Sequence, residues 1–189
     1  MWLAAAIGLG IGLALNVCAD RLPLKVESRP SSPYHATRWC ALILVSVYLC
    51  AYVQHNYGWS LGCATLVTHC TLLLLIAVVD LEHSLVPNVL VASGMVLALG
   101  FNVVSPTPGL MAGLWGAVVG GGAFGLLALA QRNALGAGDV KLAALIGMMT
   151  GFPGVLLALV LGILSGGLAA AIFMITGIRR RNQYMPYAP

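Results

Sequence analysis

Charge is scarce in this sequence. Lys, Arg, Asp and Glu make up 7% of its 189 residues, against about 25% in a soluble domain, while 60% of the residues are hydrophobic. That deficit excludes a water-soluble globular protein and points to an integral membrane protein whose apolar surface faces lipid. No basic, aromatic-rich domain is present, so a nucleic-acid partner is not expected. No two cysteines form a C-x-x-C pair. Cys18, Cys40, Cys50, Cys63 and Cys70 lie in or beside apolar runs, where free cysteine behaves as a small hydrophobe. The spacing of His and Cys fits no zinc signature, and no G-x-S-x-G nucleophile motif occurs. The glycine runs lack the G-K-S/T ending of a phosphate loop. The N-terminus also lacks the basic stretch of a cleaved signal peptide, and its apolar run is followed by Asp20-Arg21, so a retained first span is expected.

What the sequence does contain is a succession of apolar runs, at roughly 2–18, 39–54, 59–79, 88–104, 109–131, 140–150 and 154–177. Several approach the ~20 residues that a helix needs to cross a bilayer. The expected fold is therefore all-α, a polytopic membrane helix bundle with about seven transmembrane helices. The sixth run, from Val140 to Thr150, is short enough to read in isolation as a re-entrant piece. The basic residues argue that it spans. Arg21, Lys25, Arg29 and Arg38 follow the first run, Arg132 follows the fifth with Lys141 at the start of the sixth, and Arg179, Arg180 and Arg181 follow the seventh. The loops around His55 to Trp59, Ser105 to Gly109 and Gly151 to Gly154 carry no Lys, Arg, Asp or Glu. Basic loops stay on the cytoplasmic side, so a spanning sixth run keeps every basic cluster inside and puts the N-terminus outside. The net charge of +4 suits anionic lipid headgroups. Residues 19–38, with Pro23, Pro30 and Pro33, form a polar cytoplasmic loop, and 1–189 reads as a single integral membrane domain. Gly116, Gly120, Gly121, Gly122 and Gly125 in the fifth run, and Gly162, Gly166 and Gly167 in the seventh, suit close helix packing.

Two acids stand out. Asp139 follows Gly136-Ala137-Gly138 at the mouth of the sixth run, and Asp80 closes the third in Val79-Asp80-Leu81-Glu82-His83. A charge beside the bilayer is costly unless paired, hydrated or neutralised, so an acid kept there is read as functional. The topology above puts both on the cytoplasmic side at similar depth. Two close carboxylates cannot both ionise cheaply, so one keeps a proton. The ionised acid can take a proton from water while the neutral one donates to a carbonyl oxygen or leaving nitrogen, which is the chemistry of peptide hydrolysis. Helix dipoles favour the anion at Asp139, which opens a helix, and the proton at Asp80, which closes one, and the two titrate as a pair. Gly136 and Gly138 are expected to let the backbone turn tightly and other groups approach. Glu82 and Lys141 are the candidate substrate contacts. His35, His55 and His83 read as loop residues, and His69 as a packed one. Two other readings compete: a proton-coupled carrier component, which needs acids at different depths along a path, and a non-catalytic assembly subunit, which needs neither acid.

Gly136-Ala137-Gly138-Asp139 matches the G-x-G-D motif of intramembrane aspartyl proteases. With Val140-Lys141-Leu142, and with Asp80-Leu81-Glu82-His83-Ser84-Leu85-Val86-Pro87-Asn88, the chain resembles the bacterial type IV prepilin peptidases, whose first aspartate opens a D-x-x-x-x-x-[IL]-P-[DN] stretch. Gly8-x-x-x-Gly12 and Arg21-Leu22-Pro23 are similar to that family's opening segment, and Met185-Pro186-Tyr187-Ala188-Pro189 to its late motif.

The resemblance implies an aspartic endopeptidase of the bacterial plasma (inner) membrane. It would cleave the basic leader peptide of type IV prepilins or pseudopilins at the cytoplasmic membrane face. Asp80 and Asp139 would be the catalytic acids, with Gly136 and Gly138 shaping the loop around the second. The implied partners are the prepilin or pseudopilin substrate and membrane lipid. Proteolysis implies no cofactor, and S-adenosylmethionine is implied only where N-methylation of the new terminus is retained. Longer members carry paired C-x-x-C motifs in the first cytoplasmic loop. Glu27 to Pro33 has no cysteine, so this short form is not expected to hold zinc or another metal. Because leaders are basic, Asp20, Glu27 and Glu82 are the expected counter-charges.

Overall fold

A backbone in lipid has no water to bond to, so each apolar run satisfies its own N–H and C=O groups by coiling into a helix. The computed structural model describes residues 2–21, 35–83, 86–130 and 136–176. They form α1 (Trp2–Arg21), α2 (His35–Tyr57), α3 (Leu61–His83), α4 (Asn88–Val104), α5 (Leu110–Ala130), α6 (Ala137–Thr150) and α7 (Gly154–Thr176). No strand occurs among the described residues. Stretches of α1, α2, α3 and α5 are long and apolar enough to cross a membrane. The outward faces carry residues such as Leu44, Val96, Trp115 and Leu129, which a lipid solvent tolerates and water does not. The protein is an all-helical membrane bundle. α1 and α2 extend past their apolar runs and take residues at both ends of the loop expected at 19–38. The remainder of that loop, 22–34, lies outside the described residues.

Successive helices reverse direction. The start of α1, the end of α2 and the start of α3 surround a cavity of about 310 Å³, lined by residues including Ala4, Gln54 and Thr68. This marks one end of the bundle. The other end holds the last turns of α1 and α3 and the first turns of α4 and α6. Asp20 and Arg38 form an ion pair there between α1 and α2.

The core near the acids is built by three helices. Ile76 and Val79 of α3, Leu90, Val91 and Ala98 of α4, and Leu145 and Met149 of α6 pack as one buried cluster. α4 and α6 run parallel, with Gly94 against Leu145 and the Asn102 Nδ2 donating to the Met148 carbonyl at 2.8 Å. α5 lies antiparallel on α6 in backbone contact. A Cβ on Gly116 would strike the Gly147 carbonyl, and one on Gly120 the Ala143 carbonyl. Gly151 then turns the chain from α6 into α7 with a φ of 67°, in the left-handed region where glycine is at ease. The Phe152 N–H donates to the Ala112 carbonyl at 2.8 Å. That bond holds the far end of α6 level with the first turn of α5. The sixth helix therefore runs alongside α5 and does not turn back. The α7 glycines, Gly162, Gly166 and Gly167, meet no neighbouring atom within 4 Å, so the packing expected of them is not made within the described residues.

Candidate active site

The chemistry expected of this chain sits where three helix ends meet. Pro87 precedes α4 in extended conformation, and its carbonyl accepts the N–H groups of Leu90 and Val91 at 3.1 and 3.2 Å. Proline fixes its own φ and lacks a donor, which suits it to the entrance of a helix. Asp80 lies in the last turn of α3, just before this entrance.

Asp139 lies in the first turn of α6. Gly136 stands at the N-cap and has no side chain with which to cap. The acid reaches back instead: Asp139 Oδ2 accepts from the Gly136 N–H at 3.3 Å, and the Asp139 N–H donates to the Gly136 carbonyl at 3.0 Å. This is the half of a capping box in which the third helical residue serves an otherwise unpaired donor. It also places the carboxylate at the positive end of the helix dipole.

The two glycines of the motif differ. Gly136 has φ −72° and ψ 145°, an ordinary extended conformation, and left-handed glycines occur elsewhere, at Gly58, Gly109 and Gly151. The tight turn expected of Gly136 and Gly138 is therefore not their use. Gly138 serves close approach: a Cβ there would lie 3.2 Å from the Val86 Cβ. It belongs to the helix rather than to a loop before it.

A second contact joins the same segments. Lys141 Nζ donates to Asn88 Oδ1 at 2.9 Å, tying α6 to the first residue of α4. Lys141 was expected to touch substrate, and it has a partner within the chain. Val86 and Leu142 pack on the shared core, of which Val79 is a member. Asp80 follows Val79, and Asp139 precedes Leu142 by less than a turn. Both acids thus belong to one end of the α3–α4–α6 cluster, and both are exposed.

Of the expected counter-charges, Asp20 is paired with Arg38. Glu27 lies outside the described residues, as do the side chains of Glu82 and His83. His69 is buried and stands edge-on to Phe101 with centroids 5.6 Å apart, a packing position. Sequence reasoning missed the partnership of Asn88 with Lys141. A polar residue opening an apolar helix beside a proline was the signal available.

A model of the type IV leader peptidase family matches residues 67–171. That stretch contains both acids, Val86, Asn88, Gly136, Gly138 and Lys141. The chain is also similar to the prepilin leader peptidase/N-methyltransferase of Bacillus subtilis (strain 168), with 31% identity over 146 residues, 77% of this chain and 59% of that relative. It therefore spans about three fifths of the relative's length. No solved structure matches the chain significantly. Because the family model covers more than half of the sequence and takes in both aspartate motifs together with the contacts that join them, the chain belongs to the type IV leader peptidase family.

Proposed function

We propose that this protein is an aspartic endopeptidase of the bacterial plasma membrane that cleaves the basic leader peptide from a type IV prepilin or pseudopilin. The observation that carries this reading is the convergence of the two aspartate motifs at one end of the bundle, through Gly138 on Val86 and Lys141 on Asn88. A relay for protons would set its acids at different depths along a path. Here both stand in terminal helix turns around a common core.

The chemistry follows from two carboxyl groups in opposite protonation states. Asp139, near the positive end of α6, takes a proton from water as the water oxygen adds to the scissile carbonyl carbon. Asp80 donates its proton to the carbonyl oxygen. The resulting gem-diol collapses, the C–N bond breaks, and the nitrogen leaves as an amine after accepting a proton from the acid pair. The products are a leader with a new carboxyl terminus and a pilin with a new amino terminus. Proteolysis of this kind uses no metal or cofactor. S-adenosylmethionine enters only with the methyl transfer named for the Bacillus relative. The substrate's apolar helix lies in lipid beside the bundle, bringing its scissile bond to the exposed acids near the headgroups.

The test is cleavage of a prepilin by the full chain in lipid or mild detergent, followed by mass analysis of the products. Asp80→Asn and Asp139→Asn should each reduce the rate by at least about a thousandfold, because a two-acid mechanism loses one proton-transfer partner, with membrane accumulation unchanged. Wild-type cleavage in either variant, or no cleavage by the unaltered chain, would overturn the proposal.

A further inference from the structure

We infer that the Asn88–Lys141 hydrogen bond is a positioning clasp that sets the separation of Asp80 and Asp139. The inference rests on the two-acid reading above and goes on to assign the residues that hold the acids in register.

The geometry carries it. Lys141 follows Asp139 by two positions on α6, and residues so spaced do not face each other on a helix. The ammonium is thus directed away from the acid beside it and toward α4, where it meets a neutral amide oxygen at 2.9 Å. An ionised donor strengthens such a bond. Its partner, Asn88, opens α4 immediately after Pro87. Pro87 and Val86 lead back toward the end of α3 and Asp80. The clasp therefore joins the segment after the first acid to the turn that carries the second. The shared core and the Asn102–Met148 bond hold α4 to α6 farther along the helices, and Gly138 lets Val86 come close. The Asn88–Lys141 bond opposes parting at the end that bears the acids.

α4, α5 and α7 contain no Lys, Arg, Asp, Glu or His. The charged residues and histidines at this end are Asp80, Glu82 and His83 of α3, Asp139 and Lys141 of α6, Asp20 and Arg21 of α1, His35 and Arg38 of α2, and in sequence Arg132 between α5 and α6, with Asp20 and Arg38 paired to each other. The separation of the two acids governs whether both can reach one scissile bond at once.

The experiment is prepilin cleavage by the full chain in lipid vesicles, with kcat and KM read separately and thermal unfolding measured beside them, for the wild type, Asn88→Leu, Lys141→Met, their double variant and Asn88→Asp. Loss of the clasp should lower kcat by about tenfold to a hundredfold, as small misplacements of reacting groups do, with KM and the unfolding temperature changed much less. A chain that is merely destabilised loses rate only where it unfolds, so the comparison separates positioning from folding. The double variant should be no worse than the single ones, because both remove the same bond. Asn88→Asp keeps an acceptor for the ammonium and should keep most of the wild-type kcat. Wild-type kcat in Asn88→Leu and Lys141→Met, alongside an active wild type, overturns the clasp alone. A wild type that cleaves nothing overturns the peptidase reading and the clasp with it.

Discussion

Gly136 and Gly138 stand two positions apart and respond differently to a methyl group. At Gly138 an added Cβ would sit 3.2 Å from the Val86 Cβ and 3.3 Å from its Cγ2. Valine is stiff at χ1, so relief must come from movement of the chain that leads into Asn88. Alanine also favours a helix interior over glycine by about 1 kcal/mol, which offsets part of an overpacking cost of about 1–3 kcal/mol. Gly138→Ala should therefore fold with a melting temperature near that of wild type yet cleave several-fold more slowly. At Gly136 an added Cβ meets only Asp139 Oδ2, at 3.5 Å, an ordinary contact, and φ is already negative. Gly136→Ala exchanges a tolerated N-cap for a poor one, at a cost of about 0.5–1 kcal/mol. Its cleavage rate should stay close to wild type. Paired measurements of thermal unfolding and initial rate check both variants. Equal rates in the two would mean that contact with Val86 is irrelevant to catalysis.

At the scale of elements, the α5–α6 pair depends on the absence of side chains. A Cβ on Gly116 would run into the Gly147 carbonyl, and one on Gly147 into the Gly116 carbonyl. Neither obstacle is a flexible side chain, so the helices must separate. Gly116→Ala and Gly147→Ala should each lose about 1–3 kcal/mol of stability, the usual cost of overpacking a close contact. Gly122 faces open space, and Gly122→Ala should hold or gain up to about 1 kcal/mol from helix propensity. Unfolding in mixed micelles would rank the three, and a destabilised Gly122→Ala would contradict this account. The sequence made the helices readable because lipid leaves an apolar run few alternatives to a helix. The fourth run, at 88–104, coincides with α4, and the Gly116–Gly120 spacing marked a face that α6 does occupy. The same spacing at Gly162 and Gly166 has no neighbour among the described residues. Small residues say that a helix can be approached closely, but not by which partner. The acids were conspicuous because charge is costly in lipid. Lys141 was noticed as a candidate substrate contact, but its bond to Asn88 was not, because helical periodicity carries no information about a contact between residues 53 positions apart.

For the whole molecule, the short sixth helix sets a relation between the protein and the bilayer. α6 has 14 residues, or about 21 Å of helix, against a hydrocarbon core of about 30 Å. Its register on α5 shows where the shortfall lies. The α6–α7 turn is bonded to Ala112 in the first turn of α5, whereas Gly125 stands opposite Val140, with α5 continuing to Ala130. Asp139 therefore stands roughly five residues of α5, about 7 Å of helix rise, short of Ala130. If Ala130 is level with the headgroups, a carboxylate so placed meets water most readily where the lipid thins or the headgroups bend inward, and a short helix promotes such thinning at a modest cost per ångström. Thicker bilayers should raise that cost and hinder both the hydrated acid and the scissile bond that must meet it. Initial cleavage rates in vesicles of graded acyl-chain length should fall as the bilayer thickens. Unfolding stability, governed by the α3–α4–α6 core and the α5–α6 contact, should change much less. Rates that stay flat across thickness while the protein remains folded would mean that water reaches Asp139 through the bundle itself, and that the length of α6 has no bearing on access.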